Sequence, residues 1–219
     1  MVNLPKFKNE KLLAQALTHR SFLNEYKTVK IGSNERLEFL GDAILSFVTS
    51  TYLYEHFPDF EEGQLTNLRS TLVKTSTLGN AALDLDLGEK MRLSKGEENS
   101  GGRKNLSILA DVFEAVVGAL FLDSGIIAVE KLIQRVLLSS IPKILETGNL
   151  KDYKSLLQEL VQDKLRTSPF YKVEKESGPD HAKTFLVAVY IDTKKTGEGK
   201  GLSKQKAEQE AAKIALEYY

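Results

Sequence analysis

An all-α domain followed by a small α+β domain of order α-β-β-β-α is the fold class this sequence predicts. Three observations carry that expectation. Apolar residues over 1–148 recur at the three- and four-residue spacing of helices. Beyond the polar stretch Thr147-Gly148-Asn149 and one further helical run, the pattern switches to β-branched and aromatic residues in partial alternation. The chain closes on an alanine-rich helical run. The expected domains are therefore 1–148 and 149–219.

Each element follows in order. Helical spacing covers residues 12–17, 37–53, 65–73, 108–122 and 126–145. Ser33 and Asn34 are N-cap candidates for the second of these, and Ser107 for the fourth. Residues 108–122 are apolar on almost every side, which predicts a central, buried helix. In the second domain Asp152 is placed to cap a run of Tyr153, Leu156, Leu157, Leu160, Val161 and Leu165. Strands are predicted at 171–176 and 184–191. Glycine-rich turns follow, with a short third strand at about 193–200, and then a helix at 203–217. There is no internal repeat and no low-complexity tract.

The chain has 219 residues, 42% of them hydrophobic and 27% charged, so it can bury a core in two modest domains. It has no cysteine, which excludes disulfides, thiolate zinc sites and cysteine nucleophiles. No apolar run is long enough to span a bilayer; the longest is residues 115–122. The start of the chain carries no cleavable leader pattern, so the expectation is a soluble, cytoplasmic protein without a membrane partner. Net charge is zero, but its distribution is not even. Residues 1–149 hold 17 basic and 19 acidic side chains, and residues 150–219 hold 13 and 11. Residues 194–206 concentrate five lysines against one glutamate, a local excess that points to an anionic partner.

Asn34-Glu35-Arg36-Leu37-Glu38-Phe39-Leu40-Gly41-Asp42 is the most informative stretch. On a helix, Glu35, Glu38 and Asp42 share a face, where like charges repel. The apolar helix at 108–122 carries just two acids, Asp111 and Glu114, again one turn apart. Acids on largely buried helices need compensation. Two readings satisfy that need. Glu38, Asp42, Asp111 and Glu114 can form one site for a hard cation such as Mg²⁺ or Mn²⁺. Alternatively each acid pairs with a basic side chain, Arg36 and Arg69 being candidates. His19 has no placed serine or cysteine beside it and is read as structural.

Residues 34–45, NERLEFLGDAIL, resemble the hallmark motif of the ribonuclease III family. ALTHRSF at 16–22, EGQLTNLRSTLV at 62–73, GGR at 101–103 and SILADVFEAVVGALFLD at 107–123 match its other blocks, in order. The C-terminal module resembles its double-stranded RNA-binding domain, so the resemblance covers essentially the whole chain. It implies an all-α endonuclease domain, homodimeric, that cuts double-stranded RNA to leave 5′-phosphate and 3′-hydroxyl ends with a short 3′ overhang. It places the family's metal ligands on Glu38, Asp111 and Glu114 and its catalytic acids on Asp42 and Glu114. Glu35 and Glu62 match accessory acids near the RNA or the dimer interface. The implied cofactor is Mg²⁺, with Mn²⁺ as a substitute and no organic cofactor. A metal-activated water is the implied nucleophile.

Duplex RNA is read largely by shape, through 2′-hydroxyls and phosphates. Gln158 and Gln162 lie at i, i+4 on the first helix of the module, opposite its leucines. His181, in the loop Gly178-Pro179-Asp180-His181, resembles the family's minor-groove contact. Lys200, Lys204 and Lys206 fall in its phosphate-binding block. One departure is visible: the family has two adjacent lysines after the serine, whereas here the second is Gln205, with Lys206 beyond it on another azimuth. The reading is a homodimeric, Mg²⁺-dependent endoribonuclease that processes ribosomal and other structured precursor RNAs. Its rivals are a non-catalytic RNA-binding scaffold of the same fold and a small-molecule phosphohydrolase.

Overall fold

The computed structural model describes residues 4–146, 153–179 and 183–219. The chain forms two compact units, Met1–Leu150 and Lys151–Tyr219. The boundary expected at 147–149 and the cap expected at Asp152 fall outside the described residues. Among the described residues no helix is long and apolar enough to cross a membrane.

Among the described residues the first unit is built of helices, with one isolated β-bridge between Thr18 and Arg92. Its elements are α1 (Glu10–Ala16), α2 (Arg20–Glu25), α3 (Glu35–His56), α4 (Glu62–Val73), α5 (Thr75–Asp84), α6 (Leu87–Lys90), α7 (Lys95–Asn99), α8 (Leu106–Ser124), α9 (Ile126–Val136) and α10 (Ile141–Glu146). The centre is α8, as its all-round apolar sequence requires. Leu109, Val112, Phe113, Val116, Val117 and Leu120 are fully buried. The helices α1, α3, α5 and α9 pack around it.

Several expectations need correction. Residues 126–145 do not form one helix. Pro142 lacks an N–H, and in a continuous helix its ring would strike the carbonyl four residues back. The chain breaks after Val136, passes a 3₁₀ turn at Leu138–Ser140 and restarts at Ile141. Ser107 does not cap α8: Asn105 does, its side chain accepting from the Ser107 N–H at 2.9 Å. Asn34 occupies the N-cap of α3 with helical rather than extended backbone, so its carboxamide makes no cap bond. Ser33 is not the cap either; its hydroxyl donates to Glu35 at 2.8 Å. Three short elements, α2, α6 and α7, have no periodic signal because each is too short to show one. The sequence predicts no helix at α5 either.

The second unit runs α11 (Tyr153–Leu165), β1 (Phe170–Ser177), β2 (Thr184–Ile191), β3 (Lys194–Gly201) and α12 (Lys204–Leu216). Its sheet is antiparallel with order β1-β2-β3. Leu157 and Val161 of α11, Val189 and Ile191 of β2, and Ala211, Ala212 and Ala215 of α12 make its core. The glycines expected in turns lie inside β3. A Cβ on Gly197 would sit 2.3 Å from the Ala211 carbonyl oxygen, and one on Gly199 2.2 Å from the Ala211 nitrogen. Alternate glycines on the strand thus meet alanines on the helix, and α12 lies directly on the sheet.

Candidate active site

Two glycines bring the acid-bearing helices together. Gly41 of α3 faces α8 so closely that a Cβ would lie 1.8 Å from the Glu114 carbonyl oxygen. Gly118 of α8 faces α3 in turn, with 2.2 Å from a built Cβ to the Leu37 carbonyl oxygen. Backbone meets backbone at this crossing. Glu38, one turn from Gly41 on α3, and Glu114 and Asp111, about one and two turns from Gly118 on α8, then converge. Each of these three acids offers a carboxylate oxygen, and the three atoms lie within 4.8 Å of one another.

All three are partly buried. Burial raises the pKa of Glu38, and the charges of Asp111, Glu35 and Asp42 add to it; Arg20 opposes the rise. Burial also raises Asp111, against His19 and Arg20. Glu114 is pushed up to about 7, first by burial and then by Asp42, Asp111 and Glu38. A cluster whose three carboxyls are all pushed upward, built wholly of hard oxygen donors, suits a divalent cation.

Asp42 is close enough to raise both glutamates but stands exposed, outside the tight group. The ion-pair alternative does not hold for the residues it named. Arg69 donates to the Ser50 hydroxyl at 3.1 Å, and Arg36 makes none of the ion pairs seen among the described residues. The basic side chains beside the cluster come instead from the ALTHRSF block: Arg20 opposes the rise of both Glu38 and Asp111, and His19 that of Asp111. His19 caps α2, its Nδ1 accepting from the Ser21 N–H at 3.3 Å. Glu35 lies at the start of α3, 3.6 Å from Arg20. Glu62 opens α4, where it accepts from Thr66 at 3.0 Å and lines a cleft of about 270 Å³ with Ser50, Leu53, Tyr54, Leu65 and Arg69.

In the second unit Gln158 and Gln162 are exposed on α11, opposite buried Leu157 and Val161. Lys200, Lys204 and Lys206 are exposed as well. Lys204 lies 3.4 Å from Glu176 and over the Phe185 ring. The N-cap of α12 is Ser203, whose hydroxyl accepts from the Lys206 N–H at 3.2 Å. Lys195 is committed to Glu174 and Glu198, which raise its pKa. His181 falls outside the described residues.

A family model described as Ribonuclease-III-like matches residues 9–141, more than half the chain.

The chain belongs to the ribonuclease III family.

A second model, the double-stranded RNA binding motif, matches residues 153–219. The Ribonuclease 3 of Streptococcus gordonii is 48% identical over 214 residues, 96% of this chain and 90% of that protein. The Ribonuclease 3 of Treponema denticola is 47% identical, over 97% of this chain and 86% of that protein. The nuclease domain of ribonuclease III from Campylobacter jejuni, a solved structure, is similar at a TM-score of 0.57 with 40% identity, covering 63% of this chain and 92% of that one. This member of the family is a double-stranded-RNA endoribonuclease with a requirement for a divalent metal.

The division of labour between the units makes a prediction. Phosphate contacts dominate affinity for nucleic acid and its salt dependence. Removing residues 151–219 takes away the RNA-binding motif and leaves every converging acid in place. The shortened protein is expected to cut duplex RNA at low salt and to fail at lower salt than the full chain. Cleavage assays across a salt series check this; equal salt tolerance would show that the motif is not the main RNA anchor.

Proposed function

We propose that this ribonuclease III is a homodimer in which Glu38, Asp111 and Glu114 hold Mg²⁺, or Mn²⁺ in its place, and Asp42 and Glu114 act in catalysis. The single observation that carries the proposal is the convergence of three partly buried carboxylates from two helices in a chain that ends in an RNA-binding motif. When bound, the cation supplies Lewis-acid stabilisation of phosphoryl charge and lowers the pKa of its water. The chain supplies the rest. Glu38, Asp111 and Glu114 would hold the cation as carboxylates, its charge offsetting the burial and like charge that raise Glu38 and Glu114 and the burial that raises Asp111, and the proton of Glu114 would leave to solvent. Asp42, exposed at the rim, orients water at the reacting phosphate. Gln158, Gln162, His181, Lys200, Lys204 and Lys206 bind the duplex, with Lys206 serving where Gln205 replaces a lysine. Glu35 and Glu62 are accessory.

Exposed aromatic side chains support the dimer. Phe39, Phe47 and Tyr54 of α3 are 81%, 62% and 77% exposed, an aromatic stripe along one helix that suits a protein partner. The solved Campylobacter jejuni domain is described as having a region involved in dimer formation. Intact Glu38, Asp42, Asp111 and Glu114 count against the scaffold reading, and the RNA-binding motif counts against a small-molecule substrate. The substrates are ribosomal and other structured precursor RNAs, which puts the enzyme in the cytoplasm.

The test is incubation of the full chain with a long RNA duplex, with Mg²⁺ and with chelator. The expected products are short duplexes with 5′-phosphate and 3′-hydroxyl ends and a 3′ overhang, formed with Mg²⁺ alone. Sedimentation is expected to give twice the chain's 24.4 kDa. Cleavage in chelator would sink the metal assignment, and a monomer that cuts both strands would sink the dimer.

A further inference from the structure

We propose that Arg20 contacts a phosphate of the RNA at the acidic site, and that the ALTHRSF and GGR blocks together hold its guanidinium there.

The geometry begins with residues Leu17, Thr18 and His19, which are clamped from both sides. On one side the Arg92 N–H donates to the Leu17 carbonyl at 2.7 Å and the His19 N–H donates to the Arg92 carbonyl at 3.1 Å. On the other side the Asn34 N–H donates to the Thr18 carbonyl at 2.9 Å. Thr18 is fully buried and its hydroxyl donates to the Ala14 carbonyl at 2.6 Å. Arg20 is the next residue and the first of α2, so its backbone has little freedom.

The GGR block secures the outer clamp. Arg103 donates to the Gly88 carbonyl at 2.8 Å and the Met91 carbonyl at 3.0 Å, and its Nε pairs with Glu98 at 2.7 Å. It thereby ties down the residue that precedes Arg92. Gly102 permits this, since a Cβ there would sit 2.8 Å from the Glu97 carbonyl oxygen. The two arginines differ in one telling way. The Arg103 side chain is 25% exposed and spent on its partners, whereas that of Arg20 is 71% exposed.

Among the described residues Arg20 has one ion pair, with Glu35 at 3.6 Å, too long for a well-formed hydrogen bond. Most of its five donors are therefore left to solvent. Glu35 stands one helical turn from Glu38, and the Arg20 charge acts on both Glu38 and Asp111. A rigidly placed guanidinium with unused donors, at the edge of an acid cluster, matches a phosphodiester. The fork is planar and meets two non-bridging oxygens, and the charge offsets the repulsion between the acids and the polyanion.

The proposal rests on duplex cleavage by this site, and its test separates the two. If the unaltered chain does not cut duplex with Mg²⁺, that reading fails; the Arg20 result is read against a chain that does cut. In single-turnover assays at saturating duplex, Arg20→Gln is expected to slow cleavage about 10²-fold, the typical loss of one charge-stabilising donor. Arg20→Lys should recover only part, since it keeps charge but not the fork. A second readout needs no turnover. In the Glu114→Gln background, adding Arg20→Gln should make the slope of log affinity against log salt shallower by about one per contact. Calorimetric titration of Mn²⁺ into Arg20→Gln alone, with Glu114 intact, should show affinity no weaker than in the unaltered chain. A normal rate, or a slow rate with an unchanged salt slope, overturns the phosphate contact. Arg103→Met should slow the unaltered chain but add little in the Arg20→Gln background, because both act through one guanidinium. Fully additive losses overturn the positioning role of the GGR block.

Discussion

Glu114→Gln is expected to reduce cleavage by about 10³-fold or more while duplex binding stays near normal. The change preserves shape and removes a carboxylate whose pKa is raised by Asp42, Asp111 and Glu38 as well as by burial. Single-turnover cleavage and a binding titration check it, and retained turnover in Mg²⁺ would refute the assignment of Glu114. The same variant carries a stability signature. Burial and like charge raise Glu114 from 4.5 to about 7 in the fold, so the folded, metal-free state holds the proton more tightly than the unfolded chain. Stability from this group is present below about pH 4.5 and is lost as pH rises towards 7. In chelator, the unaltered protein should therefore lose melting temperature between pH 5 and pH 7.5 relative to Glu114→Gln, whose side chain does not titrate. Adding Mg²⁺ at pH 7.5 should raise the melting temperature of the unaltered protein more than that of the variant, by mass action on the folded state. Parallel pH curves would show that Glu114 is not the strained group.

Gly41→Ala is expected to be nearly as damaging although it alters no charge. Two effects compete. Replacing a helical glycine gains about 1 kcal/mol in helix propensity. Against that, the new methyl would lie 1.8 Å from the Glu114 carbonyl oxygen and 2.6 Å from its carbon, and backbone cannot rotate away as a flexible side chain can. Overpacking of this kind costs about 1–3 kcal/mol and more where nothing yields. The steric effect wins, and relief requires α3 and α8 to separate. A separation of about 1 Å carries Glu38 away from Asp111 and Glu114, a misplacement worth about 10²-fold in rate. The expected result is a lower melting temperature together with weakened Mn²⁺ binding and slow cleavage. Gly63→Ala is the control: it lies in the first turn of α4 with nothing within 4 Å of its built Cβ, and should be neutral or slightly stabilising. If Gly41→Ala melts and cuts like Gly63→Ala, the close crossing does not set the site.

Much of the fold was legible from residue order alone. The central helix was, because ten buried positions of α8 leave no polar face to misread. So were the three strands, because β2 offers an uninterrupted run of β-branched, aromatic and aliphatic residues. What was not legible has a common cause. The break before Ile141 turns on where a proline ring meets a carbonyl, and α2 and α7 are shorter than any period they could display. The acids were recognisable by type and spacing, but periodicity leaves open whether two helices face each other across a cation or each acid finds its own base. Spacing orders residues along one helix and is silent on the distance between helices.

By itself, then, the sequence determined the two-domain order, the burial of most positions between 109 and 120, and the spacing of the acids along their helices. The tertiary structure alone decided that Glu38, Asp111 and Glu114 come within 4.8 Å of one another, and that Arg20 rather than Arg36 or Arg69 stands beside them. The physical reason lies in the side chains that are missing. Gly41 and Gly118 let two backbones touch, and a contact made by absent atoms leaves no hydrophobic or charge pattern to read.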